Sequence, residues 1–229
     1  MDILLWHEIL EPYELAVKEL QVKFRHLIKE HHGKGLYSPI ESVSGRVKSV
    51  SSILEKMQRK GIVPEEMEEQ VEDIAGIRII CSFNQDIYQI ADMIARQKDV
   101  TVLYVKDYIR KPKPNGYKSY HMVVTIPIYL TEGPVETKVE IQIRTIAMDF
   151  WASLEHKIAY KFEGKAPDYL ERELKSCADM VDMLDMKMFS LNQAIMAVEE
   201  EERRVEEEKR REREKAEKRQ EELAGNGPT

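Results

Sequence analysis

The stretch TKVEIQIRT, Thr137 to Thr145, decides the fold. Val139, Ile141 and Ile143 alternate strictly with Lys138, Glu140, Gln142 and Arg144. That two-residue period belongs to a strand with one face in a core and the other polar. Close upstream, KSYHMVVTI from Lys118 to Ile126 reads as a second strand. Tyr120, Met122 and Val124 share one of its faces, and His121 lies on the other in line with Ser119 and Tyr117. The connection through Gly133 and Pro134 is short, which favours antiparallel pairing and makes the His121 face and the Glu140, Gln142 face neighbours on one surface.

Further upstream, IAGIRIICSF is a β-branched segment with Ile77, Ile79 and Cys81 alternating against Arg78 and Ile80, and Asp73 stands at its entrance. TVLYVKDY is a further strand, and Ile87, Ile90, Ala91 and Ile94 mark a helix between the two. Tyr13, Ala16, Val17, Leu20, Phe24, Leu27 and Ile28 give the first thirty residues or so a helical stripe, ended by His31, His32 and Gly33. Adjacent histidines on a helix face different ways, so this pair does not suggest a metal site.

In SPIESVSGRVKSVSSILEKMQRKG, Val50, Ile53, Leu54 and Met57 form an apolar stripe. Lys48, Ser52, Lys56 and Arg59 follow steps of four, four and three, which predict one polar face of one helix, with Gly45 in its approach and Arg46 at its start. Only Glu55 interrupts these cations. Like charges at such spacings repel unless an anion binds them.

Downstream, Ala147, Phe150, Trp151, Leu154, Ile158 and Phe162 describe a helix punctuated by Gly164 and Pro167. A long helix follows from about Tyr169, with an apolar side running from Leu170 and Leu174 through Val181, Leu184, Met188, Leu191 and Ile195 to Val198. From Glu199 onward the stripe gives way to pairs such as Glu199 with Arg203 and Glu206 with Arg210, a solvated helix with Gly225 to Thr229 disordered. The expected fold is α/β (α+β), a mixed and largely antiparallel sheet flanked by helices. Residues 1–198 are expected to form the domain, and residues 199–229 a charged helical or disordered tail.

A net charge of -7 excludes a protein that coats nucleic acid indiscriminately, so no DNA partner is expected and any basic site is local. Cys81 and Cys177 form no CxxC pair and are expected as buried thiols. No secretory signal is evident and no apolar run approaches a membrane span, which together favour a reduced, cytoplasmic setting without a membrane partner.

A cationic helix face calls for a polyanion, and a nucleoside triphosphate is the compact one that fits it. Asp73 and Glu140 suit Mg2+, which takes one or two carboxylates and completes its shell with phosphate oxygens and water. Neither GxxxxGK[ST] nor GxGxxG is present, so a Walker ATPase and a Rossmann cofactor domain are unsupported. KPKPNGYKSYH, from Lys111 to His121, adds a rigid turn carrying Lys113, Tyr117 and His121. Two rivals use the same features: a nucleotidyltransferase releasing pyrophosphate, and a catalytically silent oligomer that binds nucleotide or single-stranded RNA.

The segments GRVKSVSSILEKMQRK, EDIAGIRIICSF, KPKPNGYKSYH and VEIQIRTIAMDFWASLEHKIAYK resemble the synthetase domain of the RelA/SpoT homologues, with the length of the small, RelQ-like alarmone synthetases. The resemblance covers about Leu4 to Ile195 and implies a nucleotidyltransferase-like fold. It implies transfer of the β,γ-pyrophosphate of ATP to the ribose 3′-hydroxyl of GTP or GDP, giving pppGpp or ppGpp and AMP. Arg46, Lys48, Ser52, Lys56 and Arg59 would bind the ATP phosphates and Arg78 would stack on adenine. Asp73 and Glu140 would hold Mg2+, with Glu140 also the base. Tyr117 would stack on guanine, while Lys113, His121 and Gln142 would contact the acceptor. A homotetramer is implied, and regulation by RNA is compatible with it. Relatives activated by pppGpp have an aromatic residue and an Asn where this chain has Ser42 and Asp149, so altered product activation is expected.

Overall fold

The structure is a computed structural model that describes residues 3–34, 37–161 and 167–225. Its centre is a sheet in the order β1 (Ile40–Val47), β2 (Ala75–Cys81), β5 (Gly133–Thr145), β4 (Tyr120–Leu130) and β3 (Thr101–Asp107). β5 pairs parallel with β2, and every other pairing is antiparallel. The sheet is therefore mixed and largely antiparallel, as the alternation predicts.

Strand alternation splits this sheet into a core face and a polar face. Ile77, Ile79, Ile141, Ile143, Met122 and Val124 are fully buried on the first. Helix α1 (Ile3–Gly33) packs there through Tyr13, Ala16, Val17, Leu20 and Phe24, and α4 (Asn84–Ala95) through Ile87, Ile90 and Ile94. Each buried Val, Leu, Ile, Phe or Met side chain among these contributes about 1.5–3 kcal/mol. On the polar face the register aligns Arg46 with Gly76, Gly76 with Glu140, Arg78 with Gln142, and Gln142 with His121.

The segment before α2 corrects the sequence reading. Residues Ile40–Val47 form an edge strand, so Gly45 and Arg46 are strand residues and not the start of a helix. Helix α2 spans Val50–Lys60, and the Ser49 side chain caps it by accepting the Ser52 amide at 3.3 Å. Lys48 thus precedes the helix, and only Ser52, Lys56 and Arg59 lie on it. A cap residue takes extended dihedrals, which ends the helical spacing before it reaches Lys48. The need for glycine at 45 is steric: a Cβ there would lie 2.6 Å from Val17 Cγ1 and 2.9 Å from Ile77 Cδ1.

The short α3 (Met67–Gln70) leads to Asp73, and α5 (Ile146–Lys161) follows β5 directly. Helix α6 runs from Asp168 to Gly225. The chain divides into two compact units, Met1–Asp185 and Met186–Thr229, so this helix contributes to both. Within the first unit, Ala178 is buried beside Trp151, and Leu174 and Val181 pack against them. Cys177 sits off that face and is exposed, contrary to the expectation of two buried thiols, whereas Cys81 is buried and its thiol pKa is pushed up by burial. In the second unit, Met188, Leu191, Ile195 and Val198 keep apolar spacing but are exposed.

Candidate active site

The polar face of β1, β2 and β5 floors an open cleft lined by Arg46, Asp73, Gly76, Arg78, Glu140 and Gln142, with Ser44, Gly45 and Ile77. Sequence positions far apart meet here because the register aligns them.

Asp73 occupies one part of this cleft. Lys48 Nζ donates to its Oδ2 at 2.7 Å, and Lys56 Nζ, from α2, to its Oδ1 at 2.6 Å. Burial pushes the carboxyl pKa up, but the two ammonium groups outweigh it and hold Asp73 down at about 2. Of the predicted cationic face, Lys56 lies on α2, while Lys48 reaches the same place from the residue before the cap, and the anion both meet in this structure is Asp73. Ser52 bonds its own cap, with Ser49 Oγ donating to its hydroxyl at 2.9 Å. Arg59 is exposed in the last turn of α2. Neither side chain makes a hydrogen bond or ion pair with another candidate residue among the described residues.

Glu140 is held differently. Its Oε1 lies 3.1 Å from His121 Nδ1, and its Oε2 accepts from Gln142 Nε2 at 2.8 Å. His121 Nε2 lies 2.9 Å from the Tyr117 hydroxyl. That hydroxyl accepts from Arg144 Nη2 at 2.6 Å, and the same nitrogen donates to Gln142 Oε1 at 2.8 Å. Glu140, His121, Tyr117, Arg144 and Gln142 so close a ring of hydrogen bonds. Donor inventory orders it: Nδ1–H donates to the carboxylate, leaving Nε2 to accept from Tyr117. Burial raises the Glu140 pKa, but His121 and Gln142 more than offset this, and the carboxyl is held below its usual range despite the nearby charge of Asp73.

The turn before β4 supplies the rings. Gly116 has φ 89°, and a Cβ there would meet Ala178 Cβ at 2.5 Å, so glycine serves both the turn and its seat against α6. Asn115 Oδ1 accepts the Tyr117 amide at 3.1 Å, an Asx turn that sets where Tyr117 starts. Exposed Lys113 lies 4.6 Å from the Tyr117 ring centre and 4.9 Å from that of Tyr108. A base stacking on Tyr117 would approach a ring that already has cations over it, Lys113 and Arg144 Cζ at 5.2 Å.

The structure thus brings together Arg46, Asp73, Arg78, Glu140 and Gln142 in the cleft, Lys48 and Lys56 on Asp73, His121 on Glu140, Tyr117 on His121, and Lys113 over the Tyr117 ring. Sequence reasoning missed Arg144. It is buried, and it bonds Ser119, Tyr117, Gln142 and Asp149. The strand alternation already placed Arg144 on the Glu140 face, and a cation on that face beside a core was the available signal.

Residues 45–165 match the family described as a region found in RelA / SpoT proteins. The chain is similar to the GTP pyrophosphokinase YwaC of Bacillus subtilis, 45% identical over 192 residues, which make up 83% of this chain and 91% of that one. The GTP pyrophosphokinase YjbM of the same organism is 41% identical over 199 residues, 87% and 94% of the two chains. Among solved structures, small alarmone synthetase 1 from Bacillus subtilis bound to its product pppGpp superposes with a TM-score of 0.80 at 42% identity, covering 83% of this chain and 97% of that one. The same synthetase bound to AMPCPP gives 0.72 at 39% identity over 83% and 97%.

Proposed function

The chain belongs to the RelA/SpoT family and is a GTP pyrophosphokinase that makes (p)ppGpp, and we propose how its cleft does so. In the proposed step the 3′-hydroxyl oxygen of GTP or GDP attacks the β-phosphorus of ATP. The new 3′-O–P bond forms, the bond from the β-phosphorus to the oxygen bridging it to the α-phosphate breaks, and AMP leaves. The observation that carries this reading is Glu140: ionised, mostly buried, and aimed into the cleft by donors on both oxygens. We assign it the 3′-hydroxyl proton.

Lys48 and Lys56 can exchange Asp73 for phosphate oxygens, with Arg46, Ser52 and Arg59 as further ATP phosphate ligands and Arg78 against adenine. Lys113, Tyr117, His121 and Gln142 take the acceptor. Transfer between phosphates and a hydroxyl asks little covalent chemistry of a protein, so positioning and charge neutralisation carry most of the rate. Asp73 and Glu140 line one cleft, both are held ionised, and they offer only hard oxygen donors, a set that fits Mg2+. Bound there, Mg2+ would neutralise charge on the transferred phosphates.

The homotetramer belongs to the same proposal. Met188, Leu191, Ile195 and Val198 recur every three or four residues, lie 51–59% exposed, and offer a helix face for another copy. Free Cys81 and Cys177 are in keeping with the cytoplasmic setting.

The test incubates the protein with Mg2+, ATP labelled on the γ-phosphate, and GTP or GDP. Label in a guanosine penta- or tetraphosphate with equimolar AMP is expected and reveals the acceptor. Label only in pyrophosphate would replace this reaction by nucleotidyl transfer, and unconsumed ATP would replace it by nucleotide binding alone.

A further inference from the structure

Asp149 stands in the first turn of α5, where the helix dipole favours an anion. Its Oδ1 accepts from Arg144 Nη1 at 3.0 Å and lies 3.3 Å from Arg78 Nη1. One carboxylate oxygen thus serves two guanidinium groups from neighbouring strands, β5 and β2. Those groups lead to different places. Arg78 lines the cleft, on the side assigned to ATP. Arg144 is buried behind the other side, bonded to Tyr117 and Gln142.

The charges around Asp149 explain why an anion is needed there. Burial and the nearby cations Arg144 and Arg46 lower the Arg78 pKa, and Asp149 opposes them. Without Asp149 the two arginines would face each other uncompensated, Arg144 in a buried position.

We propose that Asp149 is a positioning residue that couples the two nucleotide subsites, an inference resting on the assignment of those subsites above. Two cations sharing one oxygen, Arg144 through a hydrogen bond and Arg78 through an ion pair, compete for it: when one is drawn away, the hold on the other tightens. A donor nucleotide that engages Arg78 frees Oδ1 for Arg144. Arg144 then holds Tyr117 and Gln142 more firmly, and the acceptor meets a preorganised site. Linkage makes the effect reciprocal, so the acceptor tightens the donor by the same factor.

The test is calorimetric titration of GDP into the full chain with Mg2+, without and with saturating AMPCPP. In the wild type, AMPCPP is expected to tighten GDP about fivefold or more, the lower range of measured couplings. Asp149→Asn, which keeps the shape and loses the charge, is expected to bring that factor close to one while GDP still binds. Asp149→Glu, which restores the charge, is expected to recover part of it and serves as the reading if the Asn variant melts early. An unchanged factor in Asp149→Asn, no tightening in the wild type, or loss of all GDP binding in a folded Asp149→Asn would each overturn the proposal. The labelled-ATP assay fails separately: coupled binding with no guanosine polyphosphate product would remove the reaction and leave the coupling standing.

Discussion

Asp73 and Glu140 line one cleft, yet Asp73 leans on the ammonium groups of Lys48 and Lys56, whereas Glu140 is locked into a ring with His121, Tyr117, Arg144 and Gln142. Lysine side chains are long, and their partners are exchangeable: a phosphate can take the place of the carboxylate at little geometric cost. Ring members come from rigid strands and one fixed turn, and several of them have their remaining groups engaged too. The contrast suits two tasks. In the proposed reaction, charge to be handed to a substrate is kept on flexible stems, and the base, which has to point at one oxygen, is kept from moving.

The sharpest break is at Glu140. Glu140→Gln keeps volume, and His121 can switch tautomer to accept the new amide, so the ring has a way to survive. The base does not. Turnover is expected to fall by about 10²- to 10⁴-fold, the usual contribution of general base catalysis, with the melting temperature little changed. Near-wild-type turnover in the labelled-ATP assay would remove Glu140 from the chemistry.

Tyr117→Phe comes next, because it opens the ring while leaving an aromatic face. His121 Nε2 and Arg144 Nη2 lose their shared partner, and a buried donor left unsatisfied costs about 1–3 kcal/mol. Part of that should appear as lower kcat, about tenfold, with the acceptor KM nearly unchanged; Tyr117→Ala should raise the acceptor KM as well. If Tyr117→Phe turns over like the wild type, the hydroxyl has no aiming role, and if neither variant moves the acceptor KM, the ring does not stack on guanine.

Much of this contrast was legible in the chain, and the parts that were not have definite causes. TKVEIQIRT and KSYHMVVTI have an apolar residue at nearly every second position, so their faces and their pairing could be read, and with them the meeting of His121 and Gln142. In β1 only Ile40 and Val43 are buried, because an edge strand with Gly45 under α1 has little apolar periodicity to show. The neighbouring cations at spacings of four then imitated a longer helix. Asp73 was found as a carboxylate at a strand entrance, but its lysine partners could not be deduced, since that contact depends on how α2 lies beside β2. Arg144 was on the correct face and still overlooked: its part in the ring needs the turn, two strands and α5 at once.

The smallest effect expected is at the exchangeable end. Lys56→Ala leaves Lys48 on Asp73, so the ATP KM should rise only a few-fold, and stability near neutral pH should drop by about 1 kcal/mol, the scale of one net hydrogen bond. The pH dependence is the more telling reading. Asp73 titrates at about 2 in the folded protein, below its ordinary 3.8, so its contribution is fully present above that ordinary value and is lost as pH falls from about 4 through 2. The variant's carboxyl lies closer to the ordinary value and has less to lose. Melting curves of wild type and Lys56→Ala should therefore be separated at pH 7 and converge as pH approaches 2. A gap that stays constant over that range would mean that Lys56 stabilises the fold by packing its methylene stem and not through Asp73, and the distinction between an exchangeable and a locked carboxylate would then rest on Lys48 alone.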